Sequence, residues 1–172
     1  MVSKSVLIIA TLDTKGREAS FLGEWIRKLN LNPILMDVGI KDSETKPDIK
    51  KEDVISAGGY TSHQIIEKGR PFYVGVMQKG GLSIAKKLLE EEAIHGVIGI
   101  GGGTGTSIAT YIMRGLPYGL PKVMVSTVAS RDVREYVRVK DIVMFHSVAD
   151  LLGFNSFTRF ILKKAAMTIV AM

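Results

Sequence analysis

The feature that most constrains this chain is a set of short apolar runs that never alternate with polar residues. Residues 4–11 (Lys-Ser-Val-Leu-Ile-Ile-Ala-Thr) carry an unbroken apolar stretch rich in β-branched side chains. A strand wetted on one face alternates apolar with polar. One that is apolar throughout is buried on both faces, as in a parallel sheet. Residues 33–39, 96–100, 122–127 and 142–145 follow the same pattern. Helical spacing fills the intervals. Between residues 17 and 29, Ala19, Leu22, Trp25, Ile26 and Leu29 recur three and four apart, which places them on one helix face. A short helix is expected at 51–57, inside an otherwise polar excursion over 40–60. Segments 61–67, 72–92 and 107–114 read as further helices, although Gly75, Gly80 and Gly81 weaken the second. Strands that alternate with helices predict an α/β fold: an open, mainly parallel, Rossmann-like sheet with helices on both faces.

Composition narrows the classes. A chain of 172 residues, 46% hydrophobic, buries enough surface to fold as one domain without staples. The absence of Cys excludes a disulfide framework, thiolate metal sites and a cysteine nucleophile. Residues 151–172 read as a closing helix but are interrupted by Asn155, Arg159, Lys163 and Lys164, so no membrane span is expected. The apolar run at 6–10 is too short for a signal peptide, and a cytoplasmic location is the expectation. A net charge of +6 suits either an ordinary basic protein or a site for anions. Nucleic acid is disfavoured as a partner, because the basic residues are dispersed, aromatic residues are only 7%, and no helix-turn-helix, RNP or zinc pattern is present.

In open α/β sheets ligands bind at the carboxyl ends of the strands, where the strand order reverses. The loops that follow strands are therefore the informative ones. The first, Thr11-Leu12-Asp13-Thr14-Lys15-Gly16, offers a carboxylate, two hydroxyls and an ammonium at the start of a helix, where backbone amides attract anions. The same residues also suit a plain helix cap beside a solvated lysine. The second, Gly101-Gly102-Gly103-Thr104-Gly105-Thr106-Ser107, has more glycine than a tight turn needs and resembles a phosphate cradle made of backbone amides. It is neither a Walker A motif nor the dinucleotide fingerprint. Thr104 or Thr106 is expected to cap the helix that follows. The third loop brings Ser126, Thr127, Ser130, Arg131 and Asp132 to the same sheet edge. Arg131, Arg134, Arg138 and Lys140 are interleaved with Asp132, Glu135 and Asp141, as on a solvated face with local ion pairs.

Catalytic groups are sparse. His63, His95 and His146 lack metal-ligand spacing, and no Gly-x-Ser-x-Gly nucleophile motif exists. Asp13, Asp132 and Asp150 are candidate acids or metal partners that the sequence does not pair.

These loops carry a resemblance. Residues 10–16, Asp37-Val38-Gly39, residues 101–106 and above all 116–130, continued by Asp141-Ile142, residues 147–150 and Asn155, resemble a long-uncharacterised family. That family is bacterial, archaeal and plant, and includes the ATP-binding N-terminal region of the tomato mosaic virus resistance protein. Arg131 stands where the family usually has Gly, and Gly103-Thr104 where it usually has Ser-Gly. The resemblance implies a unit of two Rossmann-like halves. This chain, a single subdomain over 1–172, matches the first half, and its closing helix at 151–172 leads toward the second, in the same gene or a separate chain. The resemblance also implies ATP binding, with Mg²⁺ as a companion, and a homo-oligomer. Carried over by position, the nucleotide contacts are Asp13, Thr14, Lys15, Gly101, Gly102, Gly105, Thr106, Ser126, Thr127, Ser130 and Asn155. Nucleotide binding is thus the first expectation. Two others stand beside it: half of an enzyme acting on a small phosphorylated or carboxylated metabolite, with catalytic groups supplied by the second half, and an assembly module.

Overall fold

The computed structural model describes residues 4–66, 68–147 and 154–172. In chain order the elements are β1 (Ser5–Ala10), α1 (Leu12–Lys28), β2 (Asn32–Asp37), α2 (Lys51–Ala57), α3 (Ser62–Ile66), α4 (Gly69–Glu90), β3 (Gly96–Gly101), α5 (Gly103–Arg114), β4 (Lys122–Ser126), α6 (Arg134–Val137), β5 (Val143–His146) and α7 (Ser156–Ala171). Asp150 and the expected start of the closing helix at residue 151 lie outside the described residues. The strands form one five-stranded sheet of order β2-β1-β3-β4-β5 with every neighbouring pair parallel. This is the expected α/β, Rossmann-like architecture.

The unbroken apolar runs are explained by burial on both sides. In β1, Leu7 and Ile9 enter one core, and Val6, Ile8 and Ala10 the other. β4 divides likewise, with Met124 on the first side and Val123 and Val125 on the second. This is the two-residue period of a strand with no wet face. The first core is closed by α2, α4 and α5 through Val54, Val76, Met77, Ile108 and Ile112. The second is closed by α1 and α7 through Leu22, Ile26, Leu162 and Ala166. At the amino end of the sheet the fully buried Lys122 ammonium donates to the Leu120 carbonyl and to Asp141 Oδ1, both at 2.9 Å. Burial raises the Asp141 carboxyl, but this ammonium and the Gly119 amide together hold it below its ordinary value. A buried charge left unpaired is strongly destabilising, so this bond fixes the start of β4 beside the start of β5.

Helix starts beside the strand ends differ from expectation. α1 begins at Leu12, not at residue 17, because the Thr11 carbonyl accepts the amides of Thr14 (3.1 Å) and Lys15 (2.8 Å) directly after the strand. The helix kinks at Lys15, whose φ is −127°. α5 begins at Gly103, not at residue 107, and its N-cap is Gly102 rather than Thr104 or Thr106. Packing of the turn against the strand outweighs the low helix propensity of glycine here. α7 begins at Ser156, with the Asn155 side chain accepting the Thr158 amide at 2.8 Å.

The glycines in α4 are not equivalent. A Cβ on Gly80 would lie 1.8 Å from the Val54 carbonyl oxygen of α2, and one on Gly81 would lie 2.4 Å from Ile112 of α5. These two positions let three helices pack at close range. A Cβ on Gly75 meets nothing within 4 Å. Gly75→Ala should therefore raise stability by up to about 1 kcal/mol through helix propensity. Gly80→Ala should lower it by about 1–3 kcal/mol through overpacking. Urea unfolding of the two variants checks the opposite signs.

Candidate functional site

The sheet order reverses between β1 and β3. The chain leaves β1 into α1 on one face and leaves β3 into α5 on the other, so the two loops part at their carboxyl ends. A cleft of about 280 Å³ opens there, lined by Thr11, Asp13, Thr14, Lys15, Ile40, Arg70 and residues 102–105. This is where ligands bind in open parallel sheets.

One wall is the first turn of α5. The amides of Gly103, Thr104 and Gly105 have no carbonyl one turn back to bind, and the first such bond runs from the Thr106 amide to the Gly102 carbonyl at 2.8 Å. The turn can sit this close to the strand because a Cβ on Gly101 would come within 2.6 Å of Gly105 Cα. Gly103 faces open space. Free amides, a helix dipole and an open approach suit an anion.

The opposite wall is the start of α1. Lys15 is buried, with Nζ 3.5 Å from the Thr14 carbonyl oxygen. The Thr11 and Thr14 hydroxyls are 3.0 Å apart. Asp13 Oδ2 accepts the amides of Ile40 (3.2 Å) and Lys41 (3.1 Å), while its Oδ1 is buried with no hydrogen-bond partner. Behind it, buried Asp37 Oδ1 accepts the amides of Leu12 (3.1 Å) and Gly39 (2.8 Å). Burial raises the Asp37 carboxyl above its ordinary 3.8; the Gly39 and Leu12 amides offset part of this, and the neighbouring Asp13 adds to it. Tyr73 donates its hydroxyl to the Gly39 carbonyl oxygen. Burial first, then Asp37 and Asp13, pushes that hydroxyl far above its usual range, so it stays a donor.

The sequence model described as "Uncharacterised protein family (UPF0261) N-terminal domain" matches residues 4–172. The chain belongs to that family. It is 44% identical over 173 residues to a UPF0261 protein of Clostridium tetani, covering 99% of this chain and 43% of that protein. To a UPF0261 protein of Rhizobium meliloti it is 42% identical over 170 residues, covering 98% and 42%. To the ToMV resistance protein Tm-1(GCR237) of Solanum lycopersicum it is 30% identical over 187 residues, covering 99% and 25%. The chain thus spans less than half the length of these relatives.

In this UPF0261 domain, Asp13, Thr14, Lys15, Gly102 and Gly105 meet on the cleft, and Gly101 underlies it. Thr106 and Ser126 are fully buried behind it, their hydroxyls 2.7 Å apart. They tie α5 to the end of β4, and Ser126 Oγ also accepts the Val128 amide at 3.1 Å. Thr127 Oγ1 lies 3.6 Å from the position of a Cβ on Gly102. Ser130 is exposed, and Asn155 caps α7. Thr127, Ser130 and Asn155 are not among the residues that line the cleft. Asp132 pairs with Arg134 at 2.6 Å on the surface. His95 Nδ1 accepts the Ser5 amide at 3.2 Å, near the start of β1. Among the described residues no three His, Asp or Glu side chains converge on a common point, and no helix is long and apolar enough to cross a membrane.

Sequence reasoning missed Ile40 and Arg70. Arg70 falls in the first turn of α4, which begins at Gly69 rather than at residue 72. Pro71, one residue on, was the available signal, since proline favours the first turn of a helix.

An Asp whose carboxyl is raised in the folded state holds its proton more tightly folded than unfolded. Its contribution to stability is fully present below 3.8 and is lost as pH rises through the folded value. Asp37→Asn retains an acceptor oxygen for the Leu12 and Gly39 amides and does not titrate. The stability of the parent relative to this variant should fall as pH rises from about 4 toward 7. Urea unfolding across that range measures the gap, and a constant gap would show that folding does not raise the Asp37 carboxyl.

Proposed function

We propose that this domain binds a nucleotide, ATP with Mg²⁺, through the switch-point cleft. The observation that carries the reading is the cleft's construction: free amides at the start of α5 face Lys15 and Arg70 at a reversal of strand order. Residues 102–105 would receive phosphate oxygens, and Lys15 and Arg70 would balance their charge. Mg²⁺ is commonly held by one or two carboxylates together with substrate phosphates. Asp13 is the carboxylate that lines the cleft and would fill that need, and the Thr14 hydroxyl adds a further polar group. Gly101, Thr106 and Ser126 act through the shape of the loop rather than by contact.

A second half fits the same reading. The chain spans less than half of its bacterial relatives, and Phe157, Phe160 and Met167 on α7 are exposed, which suits a helix that packs against a further apolar surface.

Calorimetric titration with Mg-ATP tests the site. Saturable binding is expected, and inorganic phosphate should bind far more weakly. Gly103→Asp adds a carboxylate where a side chain has room. An acid in the first turn favours the helix, so the variant should melt no lower than the parent yet bind Mg-ATP at least about tenfold more weakly (about 1.4 kcal/mol). Unchanged affinity would remove the α5 turn from the site.

A further inference from the structure

The cleft has a neighbour. A second hollow of about 420 Å³ lies between α2, α3 and α4. Its walls are Ile40, Ile55, Ile65 and Tyr73, and its rim carries Asp42, Lys51, Glu52 and Ser62. The two cavities share Ile40 and Arg70. They differ in character: the cleft is lined by backbone, hydroxyls and charge, and the hollow mainly by apolar side chains.

We infer that the hollow is the seat of a nucleobase whose phosphates occupy the cleft, with Arg70 bridging the two. This rests on the nucleotide reading above and states how the ligand lies. Size supports it. Ligand pockets run from about 300 to 1,000 Å³; the cleft alone falls just short, whereas the two cavities together fall inside that range. Charge supports it as well. On the rim, Lys51 is already paired with Asp42, so the walls present a neutral, apolar face, and Glu52 and Ser62 remain as acceptors for an exocyclic amine. Arg70 is exposed, and among the described residues it has no hydrogen-bond or ion-pair partner. A guanidinium is suited to a phosphate oxygen on one side and to a flat ring on the other.

The divider between the cavities is also held in place. Ile40 is 43% exposed and lines both cavities. Its amide is gripped by Asp13 from α1, and the Gly39 carbonyl before it by Tyr73 from α4. An apolar side chain held out over the seam is placed to cover the join between base and phosphate.

The test compares Mg-ATP with inorganic tripolyphosphate, which has the phosphates and no base. The parent chain should bind Mg-ATP at least tenfold more tightly. Ser62→Trp, at an exposed position that lines only the hollow, should erase that difference and leave tripolyphosphate affinity unchanged. Arg70→Ala should weaken both ligands. If tripolyphosphate binds the parent as tightly as Mg-ATP, or Ser62→Trp binds Mg-ATP as the parent does, the base seat is wrong while the anion cleft stands. If neither ligand binds the folded parent, the nucleotide reading falls and the base seat with it. The parent comparison needs no variant, so a poorly folding substitution does not remove the test.

Discussion

The carboxyl end of this sheet depends on one buried acid. Asp37 closes β2, and a single oxygen of its side chain holds both the first amide of α1 and the Gly39 amide in the turn beyond β2. Beside it, the Val38 amide donates to the Ala10 carbonyl oxygen across the same two strand ends. With it, the start of α1 and the turn at 38–41 form one rigid corner. Asp13 completes the corner from the other direction by taking the Ile40 and Lys41 amides. The cost is two carboxyl groups in a site largely withdrawn from water, visible as the upward push on Asp37 and as the orphaned oxygen of Asp13. A corner that carries such a cost is where a ligand group or cation has most to offer.

The sheet was legible in the sequence because burial on both faces leaves a strong signal. β1, β3 and β4 are buried along their whole length, and runs such as residues 6–10 and 123–125 stand out for that reason. The helix starts at the site were less legible. Residues 12–16 and 103–106 have the composition of a loop and the geometry of a helix, since contact with a strand end decided their conformation and propensity did not. Hydroxyls at strand ends were ambiguous in the same way. Thr106 and Ser126 look like ligand contacts in a list of residues, but their side chains satisfy each other in the core. Asn155 likewise is engaged at a helix cap.

Arg70 and Ile40 were invisible for a topological reason. Ile40 sits in the connection after β2 and Arg70 in the first turn of α4, both far in sequence from the glycine loop, and only the strand order brings them to it. Crossing from β2 over β1 to reach β3 carries α2, α3 and α4 across the face that ends at the cleft. The long excursion at 40–60, which reads as a polar, exposed segment around one short helix, therefore contributes a wall of the neighbouring hollow.

The two ends of the sheet are built on different terms. At the amino end Lys122 and Asp141 answer each other, and the His95 ring takes the Ser5 amide; side-chain partners are spent on holding strands together. At the carboxyl end between β1 and β3 the polar groups face outward or stand in excess of their partners: three amides of α5 and one oxygen of Asp13. Buried polar groups in folded proteins are almost always satisfied. Among the described residues two buried side-chain atoms lack a partner, Asp13 Oδ1 and Trp25 Nε1, and of these two residues Asp13 lines the cleft. Gly101 permits the approach of α5 to β3, and at Gly103 the space that a side chain would fill is left open.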